Sequence, residues 1–378
     1  MSILLRTPIY EQVMKDLKEK MVFLGGPRQI GKTTLAQSLI PKFYDGHPAY
    51  LNWDESEHRK KILHKEWPRS QKLLIFDEIH KFKKWRNLIK GYYDTLKNTH
   101  QFLVTGSARL DYFKKGGDSL LGRFHYHRLH PISLPEVGLK KANLEHLLHF
   151  GGFPEPFLKG DSIALQRWHA QRKDKIVYDD IRDLENLRDI SAIEILVDAL
   201  ATRVGSPLSR KSLGEDLEVD QKTIENWIKI LERVYYCYRI SPYGSAKINA
   251  VKKEQKLYLW DWSEHEDPGK RWENFVASHL LKYCHHKQDV YGEKYELRFL
   301  RDVHLREVDF VVLKGSIPQF AVECKTGEQH ISKHLHYFAE RSPIPRFYQV
   351  HPGKKHIQVN DKISMMPFDE FCKEAKLI

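Results

Sequence analysis

Residues Gly26–Thr34 read GPRQIGKTT. Gly26, Gly31, Lys32 and Thr33 satisfy the spacing G-x-x-x-x-G-K-[ST], and the flanks suit it: an apolar strand candidate, Met21–Gly25 (MVFLG), runs in, and a helix from Thr33 to Ile40 runs out. Glycines let the backbone curl until successive N–H groups point at phosphate oxygens. The helix N-terminus adds positive potential at the same place. The stretch therefore predicts a nucleoside-triphosphate site built from Gly26, Pro27, Arg28, Gln29, Ile30, Gly31, Lys32, Thr33 and Thr34. Lys32 would reach the β- and γ-phosphates of ATP, and Thr33 would ligate Mg2+.

Working outward, short apolar runs alternate with helical stretches. Ala49–Trp53, Lys72–Phe76, Gln101–Thr105 and Phe124–Leu129 read as further strands. Strands separated by helices predict a parallel sheet with helices on both faces, and such sheets bind ligands at the carboxyl ends of their strands. The third strand ends in two acids, LLIFDE. Asp77 would hold the magnesium ion, and Glu78 would orient or deprotonate the attacking water. At the end of the fourth strand, Thr105 and Ser107 are candidates to sense the γ-phosphate. Arg123, in SLLGRF, is a candidate arginine finger, acting in its own chain or in a neighbour.

Proline and glycine punctuate 131–160, and 161–204 reads as helical and polar. Beyond that, LSRKSLGEDL suits a short helix. QKTIENWIKILERV puts Ile224, Trp227, Ile228, Leu231 and Val234 on one helical face. YYCYRIS and KLYLWD then read as a hairpin. Two helices around a tight turn followed by a hairpin predict a winged helix-turn-helix, with Gln221, Lys222, Thr223 and Asn226 near the exposed start of its recognition helix. A helix at about 271–284 and the strands YELRFLR, EVDFVVL and FAVECK predict a separate C-terminal α/β domain. The expected division is an ATPase core over 1–160, a helical lid with winged helix over 161–262, and the C-terminal domain over 263–378.

The basic balance, a net charge of +12, favours anionic partners, with nucleic acid foremost. No apolar run is long enough to span a membrane, and the N-terminus, with Glu11 and Asp16 close behind a short apolar stretch, does not read as a secretory signal. Four scattered cysteines (Cys237, Cys284, Cys324, Cys372) lack metal-ligand spacing and point to a reducing, cytoplasmic compartment.

GPRQIGKTTL, LLIFDEIHK, VTGSARL, SLLGRF and GGFPEPF together resemble the AAA-type ATPases of archaea and bacteria that carry an uncharacterised C-terminal domain. The resemblance runs from about residue 6 to about residue 360. It implies an AAA+ core, a winged helix, and a C-terminal domain similar to PD-(D/E)XK nucleases, with a restriction-endonuclease-like fold. Asp309, in EVDFVV, and Glu323 with Lys325, in AVECK, fill that nuclease pattern, and Glu273 on the preceding helix completes it. Residues two apart on a strand share a face, so Glu323 and Lys325 belong together. Glu273, Asp309 and Glu323 would hold Mg2+ or Mn2+ through oxygen, and Lys325 would steady the nucleophile or the developing charge.

Two whole-protein readings follow. In one, ATP binding and hydrolysis drive a DNA-binding and DNA-cleaving C-terminal domain. In the other, the chain is an ATP-driven switch or adaptor in stress, defence or toxin–antitoxin signalling, and the nuclease-like domain only binds a partner. An arginine finger supplied in trans would require a homo-oligomer.

Overall fold

The computed structural model describes residues 6–106, 110, 120–181, 190–244 and 254–378, apart from the side chains of 179 and 180. The chain forms two compact units: 1–130 with 233–235, and 131–232 with 236–378.

The first unit is built on five strands, β1 (Met21–Gly25), β2 (Tyr50–Asn52), β3 (Leu73–Asp77), β4 (Gln101–Gly106) and β5 (Phe124–Arg128). Their order is β2-β3-β4-β1-β5, and every pairing is parallel. The apolar runs read from the sequence become these strands because a parallel sheet is covered on both faces, so β1 is buried along its whole length. Helix Trp85–Leu96, between β3 and β4, buries Trp85, Ile89 and Tyr92, spaced for one face. They join Phe23, Phe76 and Phe102 in a single core.

Register fixes the functional edge. Gly25 stands opposite Gly106 and Arg128, and Asp77 opposite Asn52 and Thr105. The carboxyl ends of the strands thus share one edge, where the chain leaves β1 and enters the helix Lys32–Ser38. That helix opens one residue before the expected start and stops two short of the expected end.

The second unit opens with helices, among them Lys141–Phe150, Ser162–Asp174, Ile190–Thr202, Arg210–Asp216 and Gln221–Arg233. The last buries Ile224, Trp227, Ile228 and Leu231, the face read from its spacing. Asp220 caps it, accepting from the N–H groups of Lys222 and Thr223 at 2.7 and 2.9 Å. An antiparallel hairpin follows, β6 (Cys237–Pro242) and β7 (Lys256–Leu259), and then a long helix, Pro268–Tyr291.

Strands β8 (Tyr295–Arg301), β9 (Glu307–Lys314) and β10 (Ile317–Cys324) form an antiparallel meander. β11 (Phe347–His351), β12 (Ile357–Gln358) and β13 (Ile363–Pro367) extend it. The whole is an eight-stranded sheet ordered β12-β13-β11-β10-β9-β8-β6-β7. Ser241 and Pro242 of β6 pair with Arg298 and Phe299 of β8, so the hairpin is continuous with the C-terminal sheet. No described helix is long and apolar enough to cross a membrane.

Candidate functional site

The loop after β1 is shaped by two glycines. Gly26 has φ +152°, and a Cβ there would stand 2.5 Å from the Leu129 carbonyl oxygen. Gly31 caps the following helix in the left-handed region, φ 94°. The Lys32 ammonium lies across the loop, donating to the carbonyls of Gly26 and Pro27 at 3.0 and 2.6 Å. Arg6, buried beneath the loop, donates to the Ile30 carbonyl at 3.3 Å and to the His130 carbonyl.

The acids at the end of β3 meet this loop. Thr33 Oγ1 donates to Asp77 Oδ2 at 2.9 Å, and the Tyr50 hydroxyl donates to the same oxygen at 2.6 Å. Thr105 Oγ1 donates to Asp77 Oδ1. Burial, reinforced by the Asp77 charge, pushes the Tyr50 hydroxyl well above the usual tyrosine range, so it stays a donor. Glu78 leaves the strand in the left-handed region, φ 55°, yet its N–H still donates to the Thr105 carbonyl at 3.1 Å. A non-glycine residue held there against its preference is a recurrent mark of functional sites. Burial pushes the Glu78 carboxyl up to about 7, while the nearby Lys32 charge works the other way. His80 Nε2 lies 3.7 Å from Glu78 Oε2, and burial drives that imidazole down to about 4, so it is neutral.

These residues fit a nucleotide and its ion: a loop too tight for a Cβ, a buried ammonium, and a hydroxyl and carboxylate 2.9 Å apart. The structure brings Lys32, Thr33, Asp77, Glu78 and Thr105 together. Ser107 lies outside the described residues.

Arg123 stands elsewhere. Its carbonyl accepts from the N–H of Met21, at the start of β1, so it lies at the end of the sheet opposite the loop. Its guanidinium holds Asp94 through Nε at 2.8 Å and Nη2 at 3.3 Å. The expected finger role is corrected in one respect: within its own chain Arg123 does not face the phosphate loop, because β1 separates the two.

In the second unit, β9 and β10 carry Asp309 and Glu323 on neighbouring antiparallel strands, and Asp309 Oδ2 accepts from the Cys324 N–H at 2.8 Å. Lys325 Nζ lies 2.7 Å from Glu323 Oε1, as the two-residue spacing requires. Glu323 Oε2 is buried without a hydrogen-bond partner. Glu273 accepts from the Tyr258 hydroxyl at 2.7 Å. Lys256 on β7, a residue the sequence reading passed over, places its Nζ 3.4 Å from Glu273 and 3.9 Å from Asp309, and bonds Glu307 as well.

Burial and then the Asp309 charge push Glu273 up to about 7 and Glu323 up to about 8. Burial opposes the Lys256 charge, but Glu273, Asp309 and Glu307 outweigh it and hold the ammonium well above the usual lysine range. Among the described residues no three His, Cys, Asp or Glu side chains are grouped to hold a metal ion. The four residues expected from sequence do come together, but as arranged Glu273 and Asp309 surround the Lys256 ammonium, and the acids do not form a metal-ligand set.

Arg6, Tyr50, His80 and Lys256 escaped the sequence reading. His80 alone left a local signal, two residues after Glu78 in DEIH. The others act from segments distant in sequence.

Residues 18–138 match the family model described as an AAA domain. Residues 141–263 and 268–371 match the models of two domains of unknown function, DUF8612 and DUF4143. The chain is 22% identical over 384 residues to the uncharacterised protein MJ1637 of Methanocaldococcus jannaschii, covering 84% of this chain and 78% of that one. It is 21% identical over 367 residues to the uncharacterised protein Rv2008c of Mycobacterium tuberculosis, covering 93% and 80%. Similar solved structures include the Walker-type ATPase PABY2304 of Pyrococcus abyssi, with TM-score 0.42 and 16% identity over 68% of this chain and 94% of that one. AMPPCP-bound DnaA from Aquifex aeolicus gives TM-score 0.31 and 15% identity over 59% and 86%.

Proposed function

We propose that this chain hydrolyses ATP in the first unit and uses the cycle to control DNA binding by the second. The observation that carries the ATPase reading is the Thr33–Asp77 hydrogen bond, which joins the phosphate loop to the acid pair of β3. Lys32 binds the terminal phosphates. Thr33 and Asp77 would hold Mg2+, which would supply positive charge against the phosphate oxygens. Glu78, the carboxyl raised toward neutrality, takes the proton of the attacking water, a task suited to a base with that affinity.

DNA is the partner the charge favours, at +12 for the chain. Gln221, Lys222 and Asn226 are exposed on the helix Gln221–Arg233, with Arg210 and Lys211 exposed on the helix before it. In a winged-helix reading the first group meets base edges and the lysine and arginine side chains meet phosphate. Thr223 is drawn away from that role, since its hydroxyl donates to Asp220 at 2.8 Å. As a finger, Arg123 would act only from a neighbouring copy, and that role would require an oligomer.

A second reading adds metal-dependent DNA cleavage by the restriction-endonuclease-like C-terminal domain. The unpartnered oxygen of Glu323 favours it, because a buried carboxyl oxygen seeks a cation or a donor, but the ion would have to take the place that Lys256 now fills.

The test measures ATP hydrolysis, DNA affinity with and without ATP, and plasmid cleavage with Mg2+ or Mn2+, in wild type, Lys32→Ala, Glu78→Gln and Asp309→Ala. The proposal predicts ATPase activity lost in both ATP-site variants and DNA affinity that changes with ATP only where Lys32 is intact. Cleavage lost in Asp309→Ala establishes the second reading. Tight ATP retention with slow turnover and no response to DNA would replace both with a switch that binds a protein partner.

A further inference from the structure

The acid cluster of the second unit contains its own cation. Glu273 on the helix Pro268–Tyr291, Glu307 and Asp309 on β9, and Glu323 on β10 converge from three elements. Lys256 arrives from a fourth, at the start of β7, and is 1% exposed. Its Nζ lies 3.4 Å from Glu273 Oε1 and 3.9 Å from Asp309 Oδ1, and bonds Glu307 Oε1. A buried ammonium among carboxylates is held by their combined charge, because each of them unpaired would be costly to bury.

The balance is incomplete. Four carboxylates share Lys256, Lys325 at 2.7 Å from Glu323, and Arg301 at 3.7 Å from Glu307. Arg301 is also drawn to Glu254 at 3.8 Å. Glu323, only 4% exposed, keeps Oε2 without any hydrogen-bond partner. The cluster therefore retains affinity for positive charge, yet among the described residues no three acids are grouped for a metal ion. The place between Glu273 and Asp309 is filled by an amine.

We infer that Lys256 is the resident cation of this cluster, and that a divalent ion binds between Glu273, Asp309 and Glu323 only when Lys256 is removed from among them. An ammonium carries one charge on a tether that the fold supplies at every moment. A free divalent ion brings two charges but must give up its water and compete with the tethered amine. The inference rests on the C-terminal site proposed above, and it decides between the two readings of that site. With Lys256 in place the cluster is a structural and binding element; with Lys256 displaced it becomes a metal site of the kind that cleavage requires.

The experiment is a Mn2+ titration of the full chain, without nucleotide, followed by the loss of the free-ion electron paramagnetic resonance signal. Variants are Lys256→Gln, Lys256→Arg, Asp309→Asn and the double variant Lys256→Gln/Asp309→Asn. Wild type and Lys256→Arg are expected to bind no Asp309-dependent ion at millimolar Mn2+. Lys256→Gln is expected to gain one ion per chain, at least tenfold tighter, and to lose it in the double variant. A wild-type ion that disappears in Asp309→Asn overturns the inference, even if Lys256→Gln does not fold. So does a folded Lys256→Gln that binds no more Mn2+ than wild type. DNA affinity, measured in parallel without metal, tests the DNA-binding reading separately, so loss of one leaves the other standing.

Discussion

The Thr33 hydroxyl stands 2.9 Å from Asp77 Oδ2, across 44 positions of sequence. Neither residue explains the other locally: Thr33 is there because a helix starts after the phosphate loop, and Asp77 because β3 ends. Parallel pairing of β3 with β4, and of β4 with β1, carries the two ends to one edge. Replacing Asp77 by Asn keeps the shape and removes the charge that, in the proposed mechanism, would hold the ion. ATPase activity is expected to fall by about 100-fold or more, in line with the loss of one electrostatic group from a catalytic site. Nucleotide affinity measured without Mg2+ should be nearly unchanged; a large fall there would mean that Asp77 shapes the loop and does not serve the ion.

As the proposed base, Glu78 would set the pH dependence. Its carboxyl, raised to about 7 by burial, must be ionised to accept a proton. Activity is therefore lost as pH falls through that value and gained as it rises. The kcat/KM profile of the free enzyme should climb with a midpoint near 7, well above the ordinary glutamate value of about 4.3. Glu78→Gln is expected to bind ATP with wild-type affinity and to turn over slower by roughly 100-fold to 10,000-fold. Wild-type turnover in that variant would remove Glu78 from the mechanism.

Gly26 is the position where the loop tolerates no side chain. Its φ of +152° and the 2.5 Å approach to the Leu129 carbonyl oppose even a methyl group, and the obstacle is backbone, which does not swing aside. Gly26→Ala should destabilise the first unit by about 1–3 kcal/mol and weaken nucleotide binding as well. Calorimetric unfolding and a fluorescent-nucleotide titration read the two effects.

Arg6 secures the loop from beneath. Arg6 is 5% exposed, and its guanidinium bonds the carbonyls of Ile30 and His130. Arg6→Met retains most of the packing and removes charged donors from buried acceptors, a loss of about 1.5–3 kcal/mol for each such bond. Lower thermal stability with a looser nucleotide site is expected; an unchanged nucleotide affinity would confine Arg6 to holding the fold.

In the second unit, His279 is buried and neutral. Its Nε2 accepts from the Leu134 N–H at 2.9 Å, its Nδ1 lies 2.8 Å from the Phe275 carbonyl, and burial takes the imidazole down to about 3. An unfolded chain protonates this histidine near its ordinary value of about 6.5. Between those values the unfolded state holds more protons, so stability is full above the higher one and is lost as pH falls through the window. The contribution is on the order of 4 kcal/mol by the bottom of the window. An NMR titration should find this imidazole still neutral at pH 5; a midpoint near 6.5 would refute the prediction.

By itself the sequence determined the phosphate loop, the acid-ended strand β3, the parallel sheet they imply and the apolar face of the helix Gln221–Arg233. Each is local: glycine spacing, a continuous apolar run, or helical periodicity suffices, because the backbone itself makes the loop and burial rewards the pattern. Tertiary structure alone decided the partners. Tyr50 and Thr105 reach Asp77 only because β2 and β4 flank β3. Arg123 faces Asp94 because β5 begins at the far end of the sheet. Lys256 enters the acid cluster because β6 and β7 close onto β8, and nothing in KLYLWD announces that a lysine at its head will be buried among carboxylates. Charge balance is a property of what surrounds a residue, and those surroundings are assembled from segments that only the fold brings together.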